Sequence, residues 1–312
     1  PGANVPLSAE AEQTWQKRIE RAQTTADQFY PQWERALKRY AEAKVNTAKT
    51  DINALLDYRH VESKKAQLFH KTPEINLSPV DPADPAVPYD AILPLRQKFL
   101  NYELGPQGAN LKRALHKTLI DTLAASGWMI LKIGYEQVSL PVPPDAMGQA
   151  PPVPSVPIWA RRFITNVSSK KLLVPDAFHD TDFDAAPWLA VKGTMPVRQM
   201  RAQGWTIPDD FQGSSQQDEA VFEHVDEQDS TDPLGTYVEV WYRAAIFDPS
   251  VFHPELYRCL ILVTGLETPA WCVNSPYQGL TPEGALTDDS LIGNPIHVGT
   301  LRDLIDSAYV PS

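Results

Sequence analysis

The stretch NLKRALHKTLIDTLAASGWMILKIGYE, residues 110–136, predicts a buried helix that ends at a glycine and turns directly into a strand. Asn110 suits the N-cap, because its side-chain oxygen can accept from a free backbone N–H of the first turn. Gly127 suits the position just after the helix, where a left-handed residue without a Cβ causes no clash. Beyond Gly127 the apolar period changes from 3.6 to 2, as it does where a strand begins. These residues predict a core unit of the fold and name no function.

One face of this helix is apolar, and the strand alternates between two faces. Six residues recur along the helix at spacings of three and four: Leu111, Leu115, Thr118, Leu119, Thr122 and Leu123. On the strand, one face carries Met129, Leu131, Ile133 and Tyr135, and the other carries Trp128, Ile130, Lys132 and Gly134. An apolar stripe on a helix packs against a neighbour, so we expect both elements in the core.

The composition is that of an ordinary globular protein. The 312 residues are 43% hydrophobic and 21% charged, and a chain of this length folds as one or two domains. No run of about 18 apolar residues occurs, and the N-terminal residues lack the charged-then-apolar pattern of a signal peptide. We therefore expect a soluble protein made inside the cell, with no membrane as a partner.

The net charge of −11 lies almost entirely in the second half of the chain. Residues 1–140 carry 18 Lys and Arg against 16 Asp and Glu, a net +2, whereas residues 141–312 carry 10 against 23, a net −13. Surfaces that grip nucleic-acid phosphates are strongly basic, so the second half is not such a surface as a whole. Contact with nucleic acid would be local or non-adhesive.

The first part of the chain predicts polar helices at the edge of the molecule. Residues 9–30 and 33–43 have helical periodicity with a narrow apolar stripe and many charges. We expect residues 1–44 to form peripheral N-terminal helices that pack on a neighbour.

A third helix is predicted to begin at Thr50 or Asp51 and to reach Phe69. Its expected buried side consists of Ile52, Leu55, Leu56, Val61 and Leu68. His60 and His70 lie on or beside its charged face, so we expect them to be solvated rather than metal ligands.

A short strand and a fourth helix precede the central unit. Residues 74–77 alternate like a strand, and residues 89–102 have helical periodicity. Pro94 fits this helix if it falls in the first turn. The helix carries an apolar stripe that we expect to be buried: Ile92, Leu95, Phe99 and Tyr102.

After the central unit, the sequence predicts a β-hairpin with a long loop. Seven prolines fall within residues 140–157, which predicts an extended proline-rich loop. A strand follows at residues 158–166, with a short continuation at 171–174. Arg161 and Arg162 on this strand are expected to be exposed at its edge, and a phosphate or intersubunit contact is the alternative.

The remaining residues predict a second hairpin. A short helix at residues 196–203 follows from proline at its start and glycine just past its end. Residues 209–232 are acidic and rich in Ser and Gln, which predicts a mobile loop. The clearest strands are residues 237–247 and 256–264, and residues 301–309 predict the start of another helix. The predicted fold class is α+β, with amphipathic helices packed on antiparallel β-hairpins.

Four aspartates form the densest cluster of carboxylates: Asp176, Asp180, Asp182 and Asp184. The spacing of DTDFD at residues 180–184 matches the first, third and fifth positions of a calcium loop. The match then fails, because Ala185 stands where that loop requires glycine and Val191 where it requires a bidentate Glu. We expect a solvated acidic loop, with a metal site as the alternative.

Three common signatures of catalysis are absent: GxSxG, GxGxxG and GxxxxGK[ST] do not occur. We expect Cys259 and Cys272 to be small buried hydrophobes, with a disulfide between them or a metal role as alternatives. His253 and the two cysteines are too widely spaced to be a persuasive zinc site. The sequence therefore indicates no catalytic residue, no bound metal and no cofactor.

Four passages, in order, resemble the portal proteins of tailed bacteriophages. NALLDYRHVESKKAQLFHKTPEINLSP (residues 53–79) resembles a helix that leads into a P-x-I-x-V-x-P strand. Residues 111–136 resemble the portal pattern of a helix, a glycine and a strand that ends in a tyrosine. Residues 167–205 resemble a portal stretch with an acidic loop, a tryptophan strand and a proline-started helix. VEVWYRAAIF (residues 238–247), followed by YRCLILVTG (residues 257–265), is similar to an E-x-W hairpin.

The resemblance covers about residues 45–305 and implies a portal-like wing body that is structural and has no catalytic residues. A portal is a ring, typically of twelve subunits, through which a separate terminase ATPase drives double-stranded DNA. A negative channel wall keeps contacts with that DNA transient. The implied partners are further copies of the chain, the major capsid protein, the terminase, tail adaptor proteins and the passing DNA. The implied place is the portal vertex of the virion, after synthesis in the host cytoplasm.

Portal proteins continue into a helix–clip–helix segment that lines the channel. Residues 301–312 would be the start of that stem helix, so we expect this chain to be a shortened piece that holds mostly the wing. No stem, clip or DNA-contacting residue is assigned. Two alternatives stay open: another head–tail connector or capsid-vertex protein, and a metal-dependent hydrolase built on the four aspartates.

Overall fold

A computed structural model of the chain shows a mixed α+β fold, in which helices pack on two antiparallel sheets. It describes residues 5, 7–45, 52–68, 74–78, 89–141, 155–178, 180, 182–213, 232–279, 286–287 and 293–300. Most of the expected proline-rich and acidic loops lie outside these residues. The same is true of the helix expected at 301–309, of His70 and of the proposed caps Thr50 and Asp51.

Six of the described helices form where the sequence predicts them, and a short seventh helix was not predicted. They are α1 (Ala9–Asp27), α2 (Tyr30–Val45), α3 (Ile52–Leu68), α4 (Tyr89–Leu104), α5 (Leu111–Asp121), α6 (Val197–Ala202) and α7 (Ala244–Phe247). The hydroxyl of Ser8 caps α1 by accepting from the backbone N–H of Ala11 at 3.2 Å. Within the described ranges, none of these helices is both long and apolar enough to cross a membrane.

The central unit of residues 110–136 is confirmed as a helix, a left-handed glycine and a strand. The side chain of Asn110 accepts from the backbone N–H of Arg113 at 3.4 Å, although Asn110 itself is left-handed, with φ of 50°. The helix widens into a π-helical turn at Thr122–Ser126. Gly127 then closes it with φ of 77°, and the next residue begins a strand.

The described strands are β1 (Trp128–Pro141), β2 (Ser155–Asn166), β3 (Leu172–Leu173), β4 (Trp188–Pro196), β5 (Leu234–Arg243), β6 (Tyr257–Val263), β7 (Trp271–Asn274) and β8 (Ile296–Thr300). Sheet A has the order β2-β1-β8, and sheet B has the order β3-β4-β5-β6-β7. Every neighbouring pair is antiparallel, so both predicted hairpins, β1–β2 and β5–β6, are confirmed.

Three strand predictions need correction. Both strands of the first hairpin extend into the expected loop, to Pro141 on one side and from Ser155 on the other. Residues 171–174 do not continue β2, because Leu172 and Leu173 pair with β4 in sheet B. Residues 244–247 form the short helix α7 instead of the end of β5.

Aromatic side chains join the helices to both sheets in the core. Trp15 of α1 lies 4.7 Å from Tyr242 of β5, measured between ring centroids. Trp33 of α2 lies 5.2 Å from Trp128 of β1, and Trp128 lies 5.6 Å from Phe183. The two tryptophans of the first helices are each only 1% exposed, so one face of these helices reaches the core.

Other corrections concern α3, α4 and the residues between them. Leu56 was expected on the buried side of α3 but is 58% exposed, whereas Val61 is buried as expected. Residues 74–77 form no strand. Pro94 lies inside α4 beyond its first turn, where the proline ring removes one hydrogen bond of the helical ladder.

Candidate functional site

The stripe Leu95, Phe99 and Tyr102, called the α4 stripe below, is exposed. Its side chains are 68%, 54% and 61% exposed, although the sequence predicts that they are buried. The residues recur at spacings of four and three, so they share one face of the helix. The prediction of a stripe was therefore right, and the prediction of its burial was wrong. An apolar helix face of this kind is typical of a binding surface.

Basic side chains flank the α4 stripe. The basic rim consists of Arg96 and Lys98 on the helix and Arg162 on β2, all of them exposed. The Arg162 guanidinium lies 5.9 Å from the centre of the Phe99 ring, within range of a cation–π contact. Arg161 is exposed as well, but neighbouring residues of a strand point to opposite faces of the sheet, so its side chain lies on the other face of sheet A. The exposed position expected for the two arginines of β2 is confirmed, and the structure adds that Arg162 borders an apolar surface.

The other side of α4 holds a segment of the chain by means of two amide side chains. Asn101 accepts from the backbone N–H of Ile75 at 2.8 Å and donates to its carbonyl at 3.1 Å. Gln97 accepts from the N–H of Leu77 at 3.3 Å and donates to the Asn76 side chain at 3.1 Å. This amide clamp replaces the expected strand pairing, because a side-chain amide offers the same donor and acceptor as a peptide group.

An acidic surface lies at one end of sheet B, beside the start of β4. The carboxylate of Asp180 accepts from the N–H of Asp182 at 3.0 Å, and that of Asp182 accepts from the N–H of Asp184 at 3.1 Å. Both bonds shape the loop, and the carboxylates of these three residues and Asp176 are exposed. No three His, Cys, Asp or Glu side chains are grouped as metal ligands among the residues that the structure describes.

The same end of sheet B carries two exposed apolar side chains. Because β4 and β5 are antiparallel, the loop before β4 and the turn after β5 meet at this end, where Arg243 donates to the carbonyls of both Asp184 and Pro187. In that turn Phe252 is 95% exposed and Ile246 is 54% exposed. We call Asp180, Asp182, Asp184 and Glu255 the acidic end, and Ile246 and Phe252 the apolar tip.

A polar contact that the sequence did not predict connects the two sheets. The ammonium of Lys132 on β1 lies 2.6 Å and 2.7 Å from the carboxylate oxygens of Glu239 on β5. The indole N–H of Trp241 donates to the same carboxylate at 2.6 Å. For the contact between Glu239 and Trp241, the signal in the sequence was the E-x-W spacing, because residues two apart on a strand share a face.

The cysteines and His253 are not brought together into a site. Cys259 and Cys272 are buried, which confirms the expected packing role, and they do not form a disulfide with each other. Burial raises the pKa of the Cys259 thiol, and the nearby charge of Glu239 raises it further. Cys272 lies near Tyr242, at 3.7 Å between sulfur and phenol oxygen, and burial raises its pKa as well. Both thiols are therefore held in the unreactive protonated form. His60, on α3, is exposed as expected.

One carboxylate has a strongly shifted pKa. Burial raises the pKa of Asp121, at the end of α5, to about 6, although bonds from Ser169 and Ser168 and the charge of Lys170 act in the opposite direction. The backbone N–H of Ser169 donates to this carboxylate at 3.1 Å. Asp121 therefore ties α5 to the turn that precedes β3.

Comparison with known proteins gives no family for this chain. No family model matches it, and no curated protein is significantly similar to it. The function is therefore inferred from the surfaces above and from the resemblance of the four passages.

Proposed function

We propose that this chain is the wing region of a tailed-bacteriophage portal protein, a structural subunit of the ring through which double-stranded DNA is packaged and ejected. The observation that carries the proposal is the exposed α4 stripe. A stripe of Leu95, Phe99 and Tyr102 has the spacing of a buried helix face, and this copy of the chain leaves it uncovered. A subunit of an assembly needs such a face, because it is buried only when the subunits meet.

The resemblance of the four passages supports the more specific identity. The passage at residues 111–136 corresponds to one structural unit, in which α5 ends at Gly127 and β1 follows directly. The E-x-W passage supplies Glu239, which binds Lys132 of the other sheet, and Trp241, which donates to Glu239. A fixed contact between the two sheets would suit a ring subunit that must keep its shape.

The proposal also names the binding partners of this chain and its location in the virion. The chain would pack side to side with its own copies, and the ring would contact the major capsid protein, the terminase and tail adaptor proteins. It would reside at the portal vertex of the virion and carry no catalytic residue. Its acidic charge would keep contacts with the passing DNA short-lived.

The mass of the purified full-length protein in solution tests this proposal. We expect a ring whose mass corresponds to about twelve subunits, visible as a closed ring in electron micrographs, because heterologous contacts that close generate rings. A monomer whose activity or stability depends on added divalent metal would contradict the proposal and favour a hydrolase built on the four aspartates.

The exposed α4 stripe also fits another head–tail connector or capsid-vertex protein, since either one assembles through subunit contacts. Imaging of the intact particle distinguishes a portal from a connector and from a vertex protein. A portal lies inside the capsid at a single vertex, whereas a connector lies outside it and a vertex protein occurs at many positions.

A further inference from the structure

The α4 stripe cannot pair favourably with the same stripe of a second copy. In such a symmetric contact the same patch meets itself, so each basic rim would face the other. Three basic side chains border the stripe on each copy: Arg96, Lys98 and Arg162. Like charges brought together across an interface oppose binding. The surface that covers the stripe must therefore be apolar at its centre and acidic around it.

The chain itself carries a surface of that description. At the acidic end of sheet B, the apolar tip of Ile246 and Phe252 is 54% and 95% exposed. Exposed carboxylates of Asp180, Asp182, Asp184 and Glu255 lie at the same end of the sheet. The nearby cations are partly exposed or buried. Arg243 donates to the phenol oxygen of Tyr257 at 3.0 Å, Arg18 lies 4.5 Å from the centre of the Phe247 ring, and Arg258 lies 2.8 Å from the carboxylate of Asp248. The fully exposed charges at this end are therefore negative.

The two surfaces lie at different ends of the molecule. Trp128, at the start of β1, packs on Phe183 of the acidic loop at 5.6 Å between ring centroids. Tyr135 lies further along the same strand and is paired with Arg162 of the basic rim. Seven residues of a strand span about 23 Å. One copy can therefore present its α4 stripe to one neighbour and its acidic end to another.

We propose that the α4 stripe and its basic rim bind the apolar tip and acidic end of a second copy of this chain. The contact is heterologous and head to tail, so an open assembly keeps one free surface of each kind at its two ends until the ring closes. This inference rests on the proposed function and names the two surfaces that form the subunit contact.

The size of the contact agrees with the way protein interfaces are built. A stable interface buries about 800 Å² on each partner, which is more than three side chains provide. The α4 stripe is therefore the apolar centre, and the basic rim and acidic end form the charged border. Opposite charges at the border accelerate association and fix the orientation of the two copies.

The test compares full-length protein with single variants by mass photometry over a concentration series. Phe99→Ser in the α4 stripe and Phe252→Ser in the apolar tip should each raise the concentration of half-assembly roughly tenfold or more, as loss of an aromatic anchor does. Leu56→Ser is the matched control, because Leu56 is also an exposed apolar side chain, 58% exposed, on a different helix. It should leave assembly unchanged.

Charge reversal identifies which surfaces pair. Lys98→Glu and Glu255→Lys should each weaken assembly when present alone, since each places like charges across the contact. An equimolar mixture of the two variants should assemble again with alternating copies, because the reversed rim of one variant meets the reversed end of the other and the two unreversed surfaces also meet. Circular dichroism of each variant shows that the fold is retained.

The assembly of the wild type and of the variants shows whether the proposed contact, or the proposed function itself, is wrong. Wild-type assembly that survives both Phe99→Ser and Phe252→Ser overturns this contact but leaves the proposed function standing. Assembly that is lost with Phe99→Ser and kept with Phe252→Ser shows that another surface covers the α4 stripe, which also overturns it. A wild-type protein that is monomeric at every concentration removes both the contact and the proposed function.

Discussion

At the scale of single residues, Gly127 is required by its backbone conformation alone. It has φ of +77°, and a Cβ atom added there would meet no heavy atom within 4 Å. Any strain from a substitution therefore comes from the left-handed conformation and not from crowding. A substitution at Gly127 therefore tests backbone strain alone, whereas at most glycines in the interior of a protein strain and crowding occur together.

Substitution of Gly127 by a β-branched residue should destabilise the protein. We expect Gly127→Val to lower the free energy of unfolding by about 1–2 kcal/mol, the cost of the left-handed region for such a residue. Gly127→Asn should cost less, because Asn tolerates that region. Urea unfolding of both variants measures the difference, and equal values for Val and Asn would show that the conformation is not what matters.

Asp121 should make the stability depend on pH. Because its pKa in the folded protein is about 6, above the ordinary 3.8, the folded state binds its proton more tightly than the unfolded state does. This contribution to the free energy of unfolding is therefore largest at low pH and is lost as pH rises through the window from about 4 to 6.

The variant Asp121→Asn isolates this effect, since Asn keeps an acceptor for the N–H of Ser169 and does not titrate. Relative to the wild type, the variant should gain roughly 2 kcal/mol of stability between pH 4.5 and pH 7.5. Urea unfolding at the two pH values gives the comparison. A difference that does not change with pH would mean that Asp121 is not buried as the structure has it.

At the scale of elements, the contact of Lys132 with Glu239 fixes sheet A against sheet B. The side chains are 21% and 11% exposed, so the pair is largely removed from water. Removal of one partner of such a pair leaves the other charge buried and unpaired. The resulting loss of stability is larger than the net contribution of the ion pair to stability.

We expect Lys132→Met to lower the free energy of unfolding by about 2 kcal/mol or more, because Glu239 stays charged and buried. The double variant Lys132→Met with Glu239→Gln should recover part of this loss, since the glutamine amide is neutral and still accepts from Trp241. Denaturant titration of the single and double variants tests the pairing. A double variant less stable than Lys132→Met alone would contradict it.

The elements that the sequence predicts correctly are those fixed by local chemistry. The cap at Asn110, the glycine at 127 and the change of period at 128 depend only on neighbouring residues, and all three occur. The pairing of β5 with β6 follows from two strand-like runs that are consecutive in the sequence. Local patterns are sufficient where the physical cause is local.

The predictions that failed depended on distant residues. The stripe of Leu95, Phe99 and Tyr102 was recognised, but periodicity does not show whether the same chain covers it. Residues 74–77 alternate like a strand, yet Gln97 and Asn101 bind their backbone instead of a neighbouring strand. Lys132 and Glu239 are far apart in sequence, so their contact could not be read from either segment.

At the scale of the whole molecule, the charge distribution limits how the protein can bind DNA. The net charge is −11, and the basic rim is a small exposed cluster of three cations, Arg96, Lys98 and Arg162. Affinity for duplex DNA comes mainly from counterions released by such contacts. A small rim on an acidic body gives weak binding.

Binding of a duplex should accordingly depend only slightly on salt. The logarithm of the binding constant should fall with the logarithm of the salt concentration with a slope shallower than about −3, since the basic rim neutralises about three phosphates. Fluorescence anisotropy with a labelled duplex at 50–200 mM salt measures this slope, over the range where such effects are large. Tight binding with a steeper slope would indicate a dedicated DNA-binding protein.

The order of the strands in sheet A governs how the chain folds as it is synthesised. β1 pairs on one side with β2, which follows soon after it, and on the other with β8, which follows the whole of sheet B. Until β8 leaves the ribosome, the backbone of residues 128–132 is an open edge, able to join a strand of another nascent chain. Sheet B can form by itself in that interval, because its hairpins are local. Completion of sheet A is thus a late event, and chains released before residue 296 would be prone to aggregate through β1.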